Sequence, residues 1–159
     1  MRYIHYGSDH FDKDKFIPVK NRSYSWNKPE RGCGLWASPV CCERSWRDWC
    51  FDEEWDLFRG SESFQFDISE SANVLNLYSL DDMIRTMDEN RDWIFTDPVM
   101  RANGLDDDPF TNVYLDFERM MADGIDAIDV RIKNLYYKLY GWDCDTILIM
   151  NPDIVEEVI

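Results

Sequence analysis

The sequence predicts a single α+β domain over residues 1–159, and three observations lead to that class. Short runs with strand patterning are interspersed with about three stretches of helical spacing. No internal repeat, low-complexity block or Pro/Gly/Ser-rich linker divides the chain. Its 159 residues fit one domain of ~100–150 residues, and 45% hydrophobic with 15% aromatic side chains are enough to build a core.

The elements follow in order. Arg2–His5 alternates and starts a strand that Gly7 breaks. From Phe11 to Arg31 the chain is polar, studded with aromatics and loop-like. Gly34–Ser38 (GLWAS) reads as a short buried strand reached through Gly32 and Gly34. Ser38–Pro39 then offers a cap and a first-turn proline for a helix, in which Trp46, Trp49, Cys50 and Phe51 recur at three- and four-residue spacing. Phe64–Ile68 alternates as a strand and Asn73–Tyr78 makes another. Ser79 caps a helix over Leu80–Met87, with Asp81 and Asp82 in its first turn. Asp88–Pro109 is irregular and acidic, with one helical turn around Trp93. Tyr114–Ala122 reads as a helix ended by Gly124, and Ile125–Val130 as a strand. Ile132–Tyr140 fits a helix or an aromatic loop. Thr146–Met150 (TILIM) is a strand closed by Asn151–Pro152.

Charge and composition narrow the function classes. A net charge of −15 repels phosphate backbones and disfavours ordinary duplex binding. It suits a basic partner, including a nucleic-acid-binding protein whose groove it would block, or serves solubility alone. No apolar run approaches the ~18–20 residues of a membrane helix, and MRYIHYGSDH lacks the apolar stretch of a signal peptide. Cytoplasmic residence without membrane attachment is the expectation. Five cysteines and two histidines include no CxxC pair. The spacing of Cys33, Cys41, Cys42 and Cys50 matches no common zinc loop, so reduced, partly buried thiols and no metal are expected.

Three segments carry candidate chemistry. His5 is followed by Tyr6, Gly7 and Ser8: Gly7 lets the backbone approach a ligand closely and Ser8 offers a hydroxyl. In GLWAS, Trp36 is a core residue or a flat indole on which a heteroaromatic ring stacks. A cationic ring would gain ~0.5–2 kcal/mol more. In GWDCDTILIMNPDIV, Asp143 and Asp145 stand two apart before an apolar strand, and an extended backbone points both to one face. There they end a strand in solvent, or stabilise developing positive charge and orient a nucleophile.

Taken in this order, IHYGS, GLWAS and DTILIMNPDIV resemble the three sites of the His–Tyr–Glu branch of ADP-ribosyltransferases, which includes the poly(ADP-ribose) polymerases and small bacterial and phage enzymes. The resemblance implies a compact split β-sheet core with flanking short helices and NAD as substrate. It implies that His5 holds a ribose hydroxyl and that Gly7 and Ser8 lie near the nicotinamide carboxamide. Gly34, Trp36 and Ser38 would form the stacking strand, Trp46 or Trp49 would close the other ring face, and Asp145, with Asp143 beside it, would steady an oxocarbenium-like centre. The chain departs from the family pattern at three points. Tyr6 separates histidine from glycine, Trp36 replaces a tyrosine, and counting back from Pro152 puts the family's glutamate on Thr146.

The resemblance thus implies a mono-ADP-ribosyltransferase acting on a protein or nucleic-acid acceptor, in the manner of a bacterial or phage effector, toxin or counter-defence protein. In this superfamily the stretch between the last two strands helps choose the acceptor. Here that stretch (Arg131–Trp142) is a basic, tyrosine-rich island carrying Arg131, Lys133 and Lys138; the alternative is a packed helix burying Leu135, Tyr136 and Leu139. The reading from another class is a non-enzymatic, nucleic-acid-mimicking inhibitor of a basic defence, CRISPR or restriction protein. It would act through carboxylates such as Asp52, Glu53 and Glu54, or Asp106, Asp107 and Asp108. An RNA 2′-phosphotransferase relative ranks last, because it needs several basic residues around a phosphate.

Overall fold

The computed structural model describes residues 1–23, 27–55, 62–96, 98–104, 112–135 and 138–158. Asp106, Asp107, Asp108 and Tyr136 lie outside them. The strands are β1 (Arg2–Tyr6), β2 (Leu35–Pro39), β3 (Ser63–Ile68), β4 (Val74–Leu77), β5 (Ile94–Thr96), β6 (Val113–Leu115), β7 (Ala127–Val130), β8 (Thr146–Ile149) and β9 (Val155–Glu157). The helices are α1 (Trp46–Asp52), α2 (Leu80–Glu89), α3 (Pro98–Ala102) and α4 (Phe117–Ala122).

Seven strands form one mixed sheet in the order β4-β7-β8-β2-β1-β3-β9, and β5 pairs with β6 separately. Only β4 and β7 run parallel; the other pairs in the seven-stranded sheet are antiparallel. The architecture is therefore mixed α and β, as the interspersed patterns predict. β8 is apolar at three consecutive positions because it is buried on both sides, with Ile147, Leu148 and Ile149 inaccessible. Leu148 faces a core with Leu77, Met83, Ile94, Leu115, Phe117 and Met120, contributed by α2, α4 and the β5–β6 pair among others. Ile147 and Ile149 face a second core with Tyr3, Leu35, Ala37, Phe64 and Phe66. No helix among the described residues is long and apolar enough to cross a membrane.

Capping places two of the helices. Ser45 opens α1 with a reciprocal capping box to Asp48, so the helix starts later than Ser38–Pro39 suggests. Pro39 instead belongs to β2, opposite Tyr3. Ser79 caps α2 as expected, its side chain accepting from Asp82 N–H. Other boundaries shift more. Ile94–Thr96 is a strand inside the stretch read as irregular, and Val113–Leu115 is its partner where a helix was expected to begin. The helix there starts at Phe117, capped by Asp116. After Pro152–Ile154, a 3-10 turn, β9 adds an edge strand that sequence patterning did not suggest.

The seam between β1 and β2 is short. Two residue pairs join them, Tyr3–Pro39 and Ile4–Ser38, against five between β1 and β3. The strands part beyond Ile4, and a cleft opens there.

Candidate functional site: a tryptophan-lined cleft at the β1–β2 seam

Register assembles the cleft floor. Ile4 opposes Ser38, and Ala37 opposes Ile147, so Ser38 stands beside Thr146 and the three side chains share one face of the sheet. The cleft above them has a volume of about 290 Å³. His5, Tyr6, Trp36, Trp46, Trp142, Asp143 and Cys144 line it with this row. A rim from the loop before β2 contributes Arg22, Lys28, Glu30 and Arg31.

His5 Nδ1 lies 2.7 Å from the Trp36 carbonyl oxygen. A carbonyl only accepts, so in the neutral ring Nδ1 carries the proton and Nε2 presents a lone pair. Burial lowers the imidazole's pKa, the bond to Trp36 opposing the shift. Gly7, at φ +125°, adopts a conformation that L side chains rarely enter, and a Cβ there would stand 3.6 Å from His5 Nε2. That distance is ordinary van der Waals contact, so Gly7 answers to its backbone conformation, and the imidazole packs on Phe64 with centroids 5.3 Å apart.

Indoles wall the cleft. Trp36 is fixed by its Nε1–H donating to the Cys33 carbonyl at 3.2 Å, with Trp142 packed 4.9 Å away at 57°. Trp142 Nε1–H in turn donates to the Asn27 carbonyl. Trp46, the first residue of α1, gives its N–H to the Ser38 hydroxyl at 2.8 Å and stacks on Trp49, centroids 4.9 Å apart at 15°. Cys144 also lines the floor, but burial pushes its thiol up to about 11, so it is a neutral thiol at physiological pH.

The two candidate carboxylates separate. Residues 144–145 form a bend rather than extended strand, and Asp143 lines the cleft while Asp145 does not. Asp143 is half-buried there. Asp145 is buried away from it, its Oδ1 accepting from Ile132 N–H at 2.9 Å. It anchors the 3-10 turn at Ile132–Asn134 and corrects the expectation of a ribose-facing carboxylate there. Thr146, where the family pattern counts its glutamate, is the side chain that does line the cleft.

The remaining predicted residues lie outside the lining. Ser8 is half-buried, with its hydroxyl donating to the His10 carbonyl at 3.1 Å. Gly34 is required by packing rather than by a ligand. At φ +69°, a Cβ would fall 2.6 Å from Leu148 Cδ1 and 2.9 Å from the Ile149 carbonyl oxygen. The basic island at 131–142 does not present its charges together. Arg131 pairs with the buried carboxylate of Asp129 and Lys133 pairs with Glu43 at 2.8 Å, while Leu135 and Leu139 are fully buried.

The sequence reading missed Trp142 and the rim cations. A signal for the cations existed: Lys20, Arg22, Lys28 and Arg31 crowd one segment with Glu30 as its single acid, in a chain of 32 acids and 17 bases. What the fold and site define is a mixed α/β protein whose cleft is walled by indoles, lined by His5 and by the carboxylates of Asp143 and Glu30, and edged by a lip in which cations predominate. Compared with protein-family models, curated proteins and solved structures, the chain matches none.

Proposed function

We propose that this cleft binds NAD and that the chain is a mono-ADP-ribosyltransferase, moving ADP-ribose to a protein or nucleic-acid acceptor. One observation carries the reading: His5, Trp36, Ser38, Trp46 and Asp143, drawn from three sequence segments far apart, line a single cleft. The opening of the sheet at the β1–β2 seam supports a split-core arrangement. A volume of about 290 Å³ sits at the lower end of ligand pockets, ~300–1,000 Å³, so the cleft encloses one nucleoside half and leaves the rest of a dinucleotide along its rim. His5 Nε2 accepts from a ribose hydroxyl. Trp36 and Trp46 offer faces to the nicotinamide ring. Asp143, rather than Asp145, steadies the positive charge that builds on the ribose as the bond from C1′ to the nicotinamide nitrogen breaks. That bond's electron pair leaves with nicotinamide, and the acceptor's lone pair forms the new bond to C1′ as the acceptor loses its proton. Catalysis comes from positioning and electrostatics, in keeping with the neutral Cys144 thiol.

Incubation with NAD, followed by chromatography for free nicotinamide, tests the proposal. Release by the wild-type chain that disappears in His5→Ala and Asp143→Ala supports it. No release with any protein or nucleic-acid acceptor overturns it.

A second reading has its own support in the withdrawal of Asp145 and the presence of Thr146 at the family's carboxylate position. In it the chain retains the cleft without turnover and acts through its acidic surface on a basic nucleic-acid-binding protein. Asp52, Glu53 and Glu54 stand exposed at the end of α1 for such a contact. Salt-sensitive binding to a basic partner, unaffected by NAD, distinguishes it.

A further inference from the structure

The rim of the cleft inverts the charge of the molecule around it. In a chain carrying −15, cations outnumber acids along this lip: Arg22, Lys28 and Arg31 against Glu30. Several cations elsewhere find carboxylates, as Arg2 does with Asp67, Lys15 with Asp12, Arg119 with Asp123 and Lys133 with Glu43. Among the described residues, Arg22, Lys28 and Arg31 have no carboxylate partner. With acids nearly twice as numerous as bases, three unpaired cations on one lip call for a different counter-charge.

The lip is also held in place before any ligand arrives. Asn21 and Pro29 form an antiparallel bridge, and Glu30 N–H donates to the Lys20 carbonyl at 2.8 Å. Arg22 Nε–H donates to the Pro29 carbonyl at 2.9 Å, which leaves its two terminal nitrogens for another acceptor. The Lys28 stem lies over Gly141, where a Cβ would come within 2.9 Å of Lys28 Cε. The absent side chain at Gly141 lets the ammonium group sit at the lip. Fixed guanidinium and ammonium donors of this kind match phosphoryl oxygens in geometry and charge.

We propose that Arg22, Lys28 and Arg31 form an anion site for phosphate groups, so that the ligand of the cleft is a phosphorylated or diphosphate-bridged nucleoside with its ring among the indoles and its phosphates at the lip. The inference rests on the cleft being the ligand site assigned above, but not on ADP-ribosyl transfer taking place there.

Quenching of the cleft tryptophans gives the binding readout, with ADP-ribose, inorganic pyrophosphate and uncharged adenosine as probes. ADP-ribose and pyrophosphate bind the wild-type chain and weaken with added salt. Lys28→Gln and Arg31→Gln each lower ADP-ribose affinity about tenfold, with adenosine unchanged. Circular dichroism of both variants matches the wild type, since Arg31 is exposed and Lys28 half-buried. Equal ADP-ribose affinity in the variants, or no pyrophosphate binding at all, overturns the anion site. Nicotinamide release at the wild-type rate and KM in both variants overturns it too, while leaving the transferase reading intact. Charge-dependent binding of pyrophosphate and ADP-ribose without any nicotinamide release from NAD upholds the anion site and sinks the transferase reading.

Discussion

His5 and Trp36 meet side chain to backbone where β1 and β2 part: the imidazole Nδ1 stands 2.7 Å from the Trp36 carbonyl, just past the last paired residues of the two strands. The histidine continues a connection that the backbone ladder abandons, and so ties the two walls of the cleft together.

Burial of the same imidazole sets a pH response that this bond opposes. Burial lowers the folded-state pKa of His5 below 6.5, so folding favours the neutral ring. This contribution is present above about pH 6.5, the ordinary histidine value, and is lost as pH falls through that value toward the lower folded one. Urea midpoints measured from pH 7.5 to 5 decline less steeply in His5→Gln than in the wild type. NMR titration places the His5 midpoint below that of exposed His10, whose pKa Asp9 raises. A His5 midpoint at or above that of His10 contradicts the assignment.

Asp143 and Asp145 separate cleanly by mutation. Asp145→Ala strips the buried Ile132 N–H of its acceptor and lowers stability by about 1–3 kcal/mol, seen as an earlier urea transition. Asp145→Asn keeps an oxygen in place and recovers most of that. Asp143→Asn leaves stability within about 0.5 kcal/mol and abolishes nicotinamide release. The reverse outcome, release surviving in Asp143→Asn and lost in Asp145→Asn, returns the catalytic role to Asp145.

Asp129 is a buried carboxylate that accepts from Tyr3 Oη at 2.7 Å, from Tyr78 Oη at 2.8 Å and from the Arg131 guanidinium. Asp129→Ala leaves that cation and two phenols without their acceptor and costs about 3–5 kcal/mol in chemical denaturation; Tyr3→Phe costs about 1 kcal/mol. Burial and the Asp129 charge push the Tyr78 phenol up to about 12. Its stabilising share is complete below pH 10 and disappears as pH climbs through about 12. Alkaline unfolding followed by tyrosinate absorbance begins at lower pH in Asp129→Asn.

Gly34→Ala meets both a left-handed backbone and crowding by Leu148 and Ile149. Gly124, at φ +89°, has open space around its missing Cβ. Backbone strain alone costs ~1–3 kcal/mol and overpacking adds ~1–3 more, so thermal melts rank Gly34→Ala well below Gly124→Ala. Equal melting temperatures remove the packing role given to Gly34.

Much of this architecture was legible because local chemistry agreed with the fold. β1 alternates in sequence, β8 is apolar after Thr146, and Ser79 marks the start of α2. The β5–β6 pair was not legible, since IFT and VYL are each too short to show a period and their pairing is known only from one another. His5 and Trp36, singled out from motif order, both line the cleft. Asp145 was misplaced because a bend before Thr146 decides which way a carboxylate points, and an alternation rule assumes extension. The rim cations were hidden by the chain's overall negative charge, which says nothing about one loop.

β8 lies inside the sheet, between β7 and β2, and its Ile149 sits opposite Leu35, from the far side of the sequence. During synthesis the earlier strands therefore wait as two unjoined fragments, β4 with its surroundings and β2-β1-β3, until residues 146–149 emerge to bridge them. Closing so long a stretch of chain makes folding slow and non-local. Until that bridging the nascent chain has no cleft, so whatever ligand the protein holds cannot help it fold before β8 is in place.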